Sequence, residues 1–318
     1  MYLRRLASGS AVVASTVILV PLAPFLLLIA YVLAKTTMWR TLHRALLLAY
    51  GFLYYEWVAV CAVIYTGLRH RNTNTLQEVT YEIQRWWAHG LFNMARYLFD
   101  LRFKLHGVDA LNGPGAIIIS RHTNIADNFF PLIYIASPAK PVRYILKQEL
   151  MNILSLDVAG NRLPNLFVDR SGLQTTKELE RVSTLLTSCK PEDSVLIYPE
   201  GTRYSAEKHL LLSRKPNLKE QTQRWPDLLP PRLGGVSALL EANTAKDVVF
   251  LCHTGFEGSG TIKDFLDGSW LQKEVFLYFW RVSFADIDVD PKDFIFSQWD
   301  RMQLTLSKAR KSAERNPA

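Results

Sequence analysis

An uncharged apolar run near the start of the chain constrains the fold more than any other feature. It extends from Ala11 to Ala34 and carries no charged side chain over 24 positions, enough for a helix to cross the roughly 30 Å hydrocarbon core of a bilayer. A cleaved signal peptide is the alternative, because Arg4 and Arg5 precede the run. The run is longer than a typical signal core, and no clear small-x-small cleavage site closes it. We therefore expect a retained membrane segment.

A second apolar run, from Ala45 to Leu68, differs in carrying Glu56 near its middle. An ionised carboxylate at the centre of a bilayer costs about 2.5–3.5 kcal/mol on insertion scales. Basic residues flank both runs, so the positive-inside rule does not fix their orientation. A spanning hairpin and a shallow re-entrant hairpin both fit, and both place the two chain ends on the same side. We predict a membrane hairpin over residues 1–72.

The remaining residues, 73–318, are predicted to form one domain led by an amphipathic helix. From Leu76 to Leu101, apolar residues recur at helical spacing with polar residues opposite. This helix either packs on a core or lies at the membrane surface. Beyond it, strand-like and helical segments alternate, which is typical of an α/β fold with a mainly parallel sheet.

The individual elements follow from short apolar runs and from helical periodicity. The predicted strands are Ala116–Ser120, Leu166–Val168, Ser194–Tyr198, Val248–Cys252 and Val275–Phe284. The predicted helices are Asn128–Ile135, Thr175–Thr187 and Gly235–Ala242. The basic, proline-containing stretch Lys208–Pro231 is predicted to be a loop, and Lys308–Ala318 a frayed tail.

Charge and cysteine content narrow the function classes. The formal net charge of +8 and the pI near 9.3 favour an anionic partner. That partner could be a membrane surface, a nucleic acid or a phosphorylated substrate. The cysteines Cys61, Cys189 and Cys252 form no CxxC pair, so we expect neither a disulfide framework nor a cysteine-rich zinc site. No grouping of histidine, cysteine and aspartate has metal-ligand spacing, so we expect no metal.

A polar cluster follows the first predicted strand. His122 is the one histidine in the chain with an aspartate, Asp127, five residues later. On one regular helix the two would lie about 140° apart. They can meet only if His122 leaves the strand and Asp127 sits on the first turn of the next helix. A carboxylate placed there would fix the imidazole tautomer and leave the other ring nitrogen to act as a base.

A second cluster follows the strand that ends at Tyr198. Pro199 ends that strand, and Gly201 permits a sharp turn or a close backbone approach. The turn offers the carboxylate of Glu200, the hydroxyl of Thr202 and the guanidinium of Arg203, and an arginine fork is well suited to a phosphate. The alternative is that Glu200 and Arg203 only pair with each other across the turn.

Three motifs in order resemble those of the glycerophospholipid acyltransferase family, whose best-known members are the 1-acyl-sn-glycerol-3-phosphate acyltransferases. They are His122-x4-Asp127, Phe167-Val168-Asp169-Arg170 and Tyr198-Pro199-Glu200-Gly201-Thr202-Arg203. The segment from Val142 to Leu150 is similar to the stretch between the first two motifs, and Leu228–Gly235 is similar to a bacterial branch of the family. The resemblance covers about Phe103 to Asp290.

The resemblance implies a parallel-rich sheet wrapped by helices, with a membrane-facing N-terminal helical part. It implies that His122 is the catalytic base and Asp127 its partner. It also implies that the acceptor is bound by Arg170, Glu200, Gly201, Thr202 and Arg203, with Lys147 and Arg203 near its phosphate. No cofactor is expected, because the acyl donor, acyl-CoA or an acyl carrier protein, is itself a substrate. We expect no nucleic acid partner.

Some residues depart from the family pattern. Arg121 stands where the family usually has asparagine, and it is a candidate for oxyanion stabilisation or for an altered acceptor preference. Tyr198 replaces a commoner phenylalanine. The fourth motif, which often carries a proline, would fall at Val248–Cys252, where there is none. We expect His253, which closes that strand, to serve packing.

The leading hypothesis is an enzyme that acylates the sn-2 hydroxyl of lysophosphatidic acid and yields phosphatidic acid. The closest alternative changes the acceptor to another lysophospholipid, such as lysophosphatidylglycerol or lysocardiolipin, in lipid remodelling. A membrane-bound hydrolase in which His122 activates water, and a non-enzymatic membrane adaptor, are further alternatives. We expect the enzyme at a membrane, taken to be the bacterial inner membrane, with its catalytic domain on the cytoplasmic side.

Overall fold

The structure is a computed structural model that describes residues 2–70, 72–168, 176–257, 265–287 and 290–315. Within these residues, seven strands form one sheet in the order β1-β7-β6-β2-β5-β3-β4. The strands are β1 (Arg102–His106), β2 (Ile117–Ser120), β3 (Val142–Lys147), β4 (Leu166–Val168), β5 (Ser194–Ile197), β6 (Val248–Thr254) and β7 (Glu274–Val282). Neighbouring strands are parallel except β6 and β7, which are antiparallel. The expected α/β fold with a mainly parallel sheet is confirmed.

Helices precede the sheet and cover both of its faces. In the described residues they are α1 (Tyr2–Val32), α2 (Thr37–Arg69), α3 (Thr73–Phe99), α4 (Leu154–Gly160), α5 (Thr176–Thr187), α6 (Ala206–Ser213), α7 (Lys219–Arg224), α8 (Leu233–Glu241) and α9 (Pro291–Arg315). Strand alternation sorts the core between the two faces. Ile117 and Ile119 of β2 pack in the layer with α5, α8 and α9, whereas Ile118 packs in the layer with α3.

Several local predictions require correction. The stretch Lys208–Pro231 is not a plain loop, because it holds most of α6 and all of α7, and the Ser205 side chain caps α6 by accepting from Lys208 N at 3.2 Å. The tail from Lys308 continues α9 to Arg315. The single helix expected over Asn128–Ile135 is a 3₁₀ turn, Ile125–Asn128, followed by a π-helical turn, Pro131–Ile135. Pro131 lacks the N–H that a continuous helix would need.

The first two helices are long and apolar enough to cross a membrane, over Val12–Val32 and Thr37–Arg69. The second is nevertheless docked on the rest of the chain. Glu56 is fully buried, and its carboxylate accepts hydrogen bonds from Ser155 N at 2.8 Å and Ser155 Oγ at 2.7 Å. The carboxylate in the middle of the second apolar run therefore contacts α4 instead of lipid.

Both ends of α2 contact the domain that carries the sheet. Near its start, Thr37 lies so close to Gly268 that a Cβ at that glycine would be 2.7 Å from Thr37 Cγ2. Near its end, an Arg162 guanidinium nitrogen donates to the Val63 carbonyl. Helix α2 consequently lies along the domain over its whole length, antiparallel to α3, with Tyr55 against Gly90.

Candidate active site

His122 and Asp127 meet at the carboxyl end of β2. Arg121 N donates to Leu251 O at 3.0 Å and so carries the ladder with β6 one residue beyond the strand, after which the chain turns. Asn124 Oδ1 accepts from Ala126 N at 3.1 Å, and this contact folds the 3₁₀ turn back on His122. The turn brings Asp127 Oδ2 to 3.1 Å from His122 Nδ1. Both side chains are buried.

The Asp127 carboxylate fixes the tautomer of His122. Its Oδ2 atom also accepts from the backbone N–H groups of Thr123 at 2.5 Å and Asn124 at 2.7 Å. An ionised carboxylate only accepts, so His122 Nδ1 carries the proton and Nε2 presents its lone pair. Burial by itself would raise the pKa of Asp127, but the charge of the nearby His253 and the hydrogen bond from His122 hold that pKa well below its usual range. The carboxylate therefore stays ionised at neutral pH.

His253 is the residue that the sequence did not assign to this site. It is fully buried on β6, and its Nε2 lies 3.2 Å from Asp127 Oδ1, in a direction too oblique for a good hydrogen bond. Its ring packs edge-on against Phe130, with centroids 5.2 Å apart. The sequence predicts a packing residue at this position. The signal that could have located it is the adjacency of β6 to β2, which places two strand ends side by side.

The turn after β5 holds the backbone of His122 from the other side. Glu200 Oε1 accepts from His122 N at 2.8 Å, and Glu200 Oε2 accepts from Leu229 N at 3.3 Å. Tyr204 N donates to His122 O at 2.7 Å. Complete burial raises the pKa of Glu200 to about 8, although the two backbone donors and the Arg121 charge oppose the rise. Glu200 thus braces the histidine, and the alternative of a simple pair with Arg203 does not describe its contacts.

Gly201 has a backbone conformation that requires glycine. Its φ is +67°, in the left-handed region that other residues rarely adopt. A Cβ at this position would lie 2.9 Å from Arg232 Cδ. Arg232 is fixed there because its N–H donates to Pro199 O at 2.8 Å. The tight turn and its neighbour together exclude a side chain.

Tyr198 packs on the ring of His122. The two ring centroids are 4.4 Å apart with an angle of 29° between planes. The Tyr198 hydroxyl donates to Asp127 O at 3.1 Å, a contact that the commoner phenylalanine could not make. The tyrosine thus adds a hydrogen bond between the carboxyl end of β5 and the turn that contains Asp127.

Arg121 has no role at the reacting atoms in this geometry. Its side chain is 1% exposed, and its guanidinium donates to the carbonyls of His253 and Asp227 and to the Glu257 carboxylate. Burial alone would lower the pKa of Arg121, but Glu257 keeps it raised. In turn, Arg121 outweighs the opposing effect of burial and holds the pKa of Glu257 at about 2. Arg121 therefore joins three segments of chain, and an oxyanion role for it is not supported.

The residues expected to bind the acceptor lie along the same edge of the sheet. Lys147 ends β3, which neighbours β5. Lys208 Nζ donates to Thr202 Oγ1 at 3.1 Å and to Arg203 O at 2.9 Å, and the Arg203 side chain is exposed. Arg170 lies outside the described residues. The structure thus gathers His122, Asp127 and the turn from Pro199 to Arg203, with Lys147 nearby on the edge.

Comparisons with known proteins agree with this arrangement. A family model described as Acyltransferase matches residues 102–249. The crystal structure of the 1-acyl-sn-glycerophosphate (LPA) acyltransferase PlsC from Thermotoga maritima resembles the chain with a TM-score of 0.53 and 14% identity, covering 83% of this chain and 98% of that chain. A sequence search of curated proteins finds no match.

The fold and the matched segment define an O-acyltransferase. The matched segment carries the ordered motifs, which are similar to those of the glycerophospholipid acyltransferase family.

Proposed function

We propose that the chain transfers a fatty acyl group from acyl-CoA or an acyl carrier protein to the sn-2 hydroxyl of lysophosphatidic acid, giving phosphatidic acid. The observation that carries the proposal is the His122–Asp127 pair, braced by Glu200 at the ends of the two adjacent strands β2 and β5. The similar fold of PlsC, a 1-acyl-sn-glycerophosphate acyltransferase, supports the choice of acceptor.

In the proposed mechanism His122 is the general base. Its Nε2 removes the proton of the acceptor hydroxyl as the oxygen attacks the thioester carbonyl. When the tetrahedral intermediate collapses, the carbon–sulfur bond breaks and the imidazolium returns the proton to the leaving thiolate. Asp127 stabilises the imidazolium through Nδ1. General base catalysis of this kind contributes about 10²–10⁴-fold, and the thioester needs no covalent enzyme intermediate.

The acceptor phosphate would be held by cations at the edge of the sheet. Arg203 is exposed beside the turn that contains Glu200, and Lys147 ends the next strand but one from His122. Arg170 is proposed as a third cation on the family resemblance alone. Fixing the head group there would position its hydroxyl near His122, which is worth several kcal/mol, up to about 7–11 in well-oriented cases.

The N-terminal hairpin would hold the enzyme on the membrane from one side. Most of the outer apolar residues of α1 are exposed; Val17, Phe25 and Leu28 are 67%, 65% and 61% exposed, so lipid is their natural surrounding. Because both ends of α2 contact the domain, a hairpin lying in one leaflet fits better than a spanning one. The lysolipid can then enter laterally, which avoids extraction of its tail at about 0.8 kcal/mol per CH₂. We place the enzyme on the cytoplasmic side of a bacterial inner membrane.

The test is an acyl-transfer assay with the full-length purified protein in vesicles. Labelled acyl-CoA and acyl carrier protein are offered with lysophosphatidic acid, lysophosphatidylglycerol and lysocardiolipin. We expect the highest kcat/KM with lysophosphatidic acid. We expect His122→Ala to abolish transfer, whereas His106→Ala, which truncates an exposed histidine on β1, leaves it unchanged.

Each other outcome has a defined meaning. A preference for lysophosphatidylglycerol or lysocardiolipin would show that lysophosphatidic acid is not the acceptor, while the proposed mechanism would still apply. Release of free fatty acid without an acceptor would point to a hydrolase. Full activity of His122→Ala would refute the assignment of the base.

A further inference from the structure

Helix α6 exposes two leucines to solvent, while two of its polar residues contact the protein. Leu210 and Leu211 are 56% and 52% exposed. Their neighbours point inward, because His209 Nε2 lies 3.1 Å from Trp225 O and Lys208 Nζ binds Thr202 Oγ1 at 3.1 Å. A surface helix of a soluble protein has the opposite arrangement.

Positive charge surrounds these two leucines. Arg214 and Lys215 follow one helical turn later and are exposed, as is Lys219 at the start of α7. Residues 205–225 hold five basic and two acidic side chains, a net charge of +3. Exposed leucines beside lysine and arginine are typical of helices that lie in the interface of an anionic bilayer.

The helix also lies at the edge of the sheet where the hairpin approaches. It starts two residues after Tyr204, whose N–H donates to His122 O. At the same carboxyl-terminal edge, Gly9 of α1 neighbours Leu154, which follows β3, and Thr37 contacts Gly268, which precedes β7. A bilayer that takes up the outer face of α1 is therefore adjacent to the edge that carries α6.

We propose that α6 is a second membrane contact, which inserts Leu210 and Leu211 into an anionic phospholipid surface while Arg214, Lys215 and Lys219 bind lipid phosphates. The inference rests on the proposed function, because a membrane lipid is the acceptor there. Insertion would have a catalytic consequence. Lys208 connects α6 to Thr202 and to the Arg203 carbonyl. The depth to which α6 inserts would therefore determine the depth of the acceptor-binding turn, which would lie among the lipid head groups.

The depth of α6 can be measured without any turnover. In full-length protein carrying Cys61→Ser and Cys189→Ser, a fluorophore sensitive to polarity is attached to Leu210→Cys. The buried Cys252 is retained. Vesicles contain phosphatidylcholine and phosphatidylglycerol with brominated acyl chains. We expect a blue shift and quenching for Leu210→Cys, both reduced by Arg214→Glu with Lys215→Glu. The matched control is Glu192→Cys, an exposed residue before β5 at the opposite edge of the sheet, which should show neither.

Two results would overturn the proposal. The first is an unquenched probe at Leu210 under conditions where a probe at Phe25→Cys on α1 is quenched. The second is a probe that responds to acyl carrier protein and not to vesicles, which would make α6 a donor-docking helix. Because no acyl transfer is measured, neither result bears on whether lysophosphatidic acid is the acceptor.

An activity measurement adds an independent readout. We expect Leu210→Ser with Leu211→Ser to lower kcat/KM about tenfold or more for acceptor presented in vesicles, because two leucines no longer bury their side chains in the interface. With a short-chain lysophosphatidic acid that is soluble as a monomer, the same variant should match the wild type. An equal loss with both acceptors would refute the membrane role.

The two oxygens of Asp127 have different partners. Oδ2 accepts from His122 Nδ1 and from two backbone N–H groups, whereas Oδ1, among the described residues, lies 3.2 Å from His253 Nε2. We infer that His253 is a positioning residue, which holds Oδ1 so that Oδ2 remains directed at His122. It would also share the carboxylate charge that otherwise acts on His122 alone.

Other charged groups near His253 belong to neighbouring segments. Arg121 donates to its carbonyl, Glu257 lies three residues beyond the strand and interacts electrostatically with His253, and Asp127 is in direct contact. The proposed perturbations leave all three in place. A change in the pH profile can therefore be assigned to the imidazole.

The test compares His253→Phe with His253→Gln in the vesicle assay. We expect His253→Phe to lower kcat about tenfold with an unchanged KM for the acceptor, because the buried carboxylate of Asp127 loses one contact. The acid limb of the kcat–pH profile should move to higher pH, because the whole Asp127 charge then stabilises the His122 imidazolium. His253→Gln keeps an N–H donor and should restore most of both. If His253→Phe does not fold, His253→Asn, whose amide is too short to reach, replaces it. An unmoved acid limb, or no rescue by glutamine, would refute the inference.

Discussion

Glu200 makes the stability of this enzyme depend on pH in a direction opposite to that of most carboxylates. Burial raises its pKa from 4.5 to about 8, while its two oxygens accept from the backbone of His122 and Leu229. A carboxyl group with a raised pKa in the folded state is more easily ionised in the unfolded chain. Its contribution to stability is complete below pH 4.5 and is lost as pH rises towards 8.

The size of the effect follows from the shift. About 3.5 pKa units at 1.36 kcal/mol each amount to about 5 kcal/mol over that interval. The substitution Glu200→Gln removes the titration. It also replaces one acceptor oxygen with an NH₂ group and leaves one buried N–H unsatisfied, which costs about 1–3 kcal/mol. The variant should therefore be less stable than the wild type at pH 5 and more stable at pH 8.5.

Thermal unfolding in detergent from pH 5 to pH 8.5 measures this crossover. For a chain of 318 residues a change of 1 kcal/mol corresponds to about 1.5 °C in Tm, so the difference in Tm between variant and wild type should change by about 7 °C over the range. Glu241→Gln, at an exposed glutamate on α8, provides the control and should follow the wild type. A Glu200→Gln variant whose Tm runs parallel to that of the wild type across the whole range would refute the reasoning.

Three further perturbations test other contacts. Asp127→Asn keeps an acceptor for the backbone N–H groups but removes the charge beside His122. We expect kcat, measured by single-turnover kinetics, to fall about 10²–10⁴-fold, with folding retained by circular dichroism. A loss of kcat under threefold would contradict the pairing. Arg203→Ala should raise the KM for lysophosphatidic acid with little change in kcat. The control, Arg301→Ala, truncates an exposed arginine on α9 and should change neither constant. An unchanged KM for Arg203→Ala would exclude Arg203 from the phosphate site. Glu56→Ala removes the acceptor for Ser155 N and Oγ and should destabilise the docking of α2 by about 1–3 kcal/mol. Faster proteolysis between α2 and α3 would reveal this loss. A rate of proteolysis equal to that of the wild type would show that Glu56 does not hold the hairpin.

The sequence predicted the parts of the fold that rest on local apolar runs. The central strands at Ile117, Val195 and Val248 are buried on both faces, so each appears as an uninterrupted apolar segment. Strand β1 was not predicted, because its residues alternate with charge and most of them are exposed at the edge of the sheet. Helix α6 was not predicted because its leucines face outward, which disrupts the periodicity expected of a packed helix.

The site divides in the same way. The approach of Asp127 to His122 could be anticipated because both lie in one turn. The contacts of Glu200 with the His122 backbone and of His253 with Asp127 join segments 78 and 126 residues apart. Such contacts depend on the order of strands in the sheet, and local periodicity carries no information about that order. The buried position of Glu56 against Ser155 is likewise a long-range contact that hydropathy could not predict.

Arg121 shows why a departure from a family motif need not alter specificity. Its position next to His122 makes it the obvious candidate for an unusual acceptor preference. However, its guanidinium is buried, and its acceptors come from the Asp227 segment and the end of β6. One of them is the carbonyl of His253, so Arg121 helps to fix the strand end that carries the second histidine to Asp127. Substituting Arg121 should thus disturb the geometry of catalysis for every acceptor alike. Differences between acceptors are expected from the exposed turn at Thr202 and Arg203, where the head group can make contact.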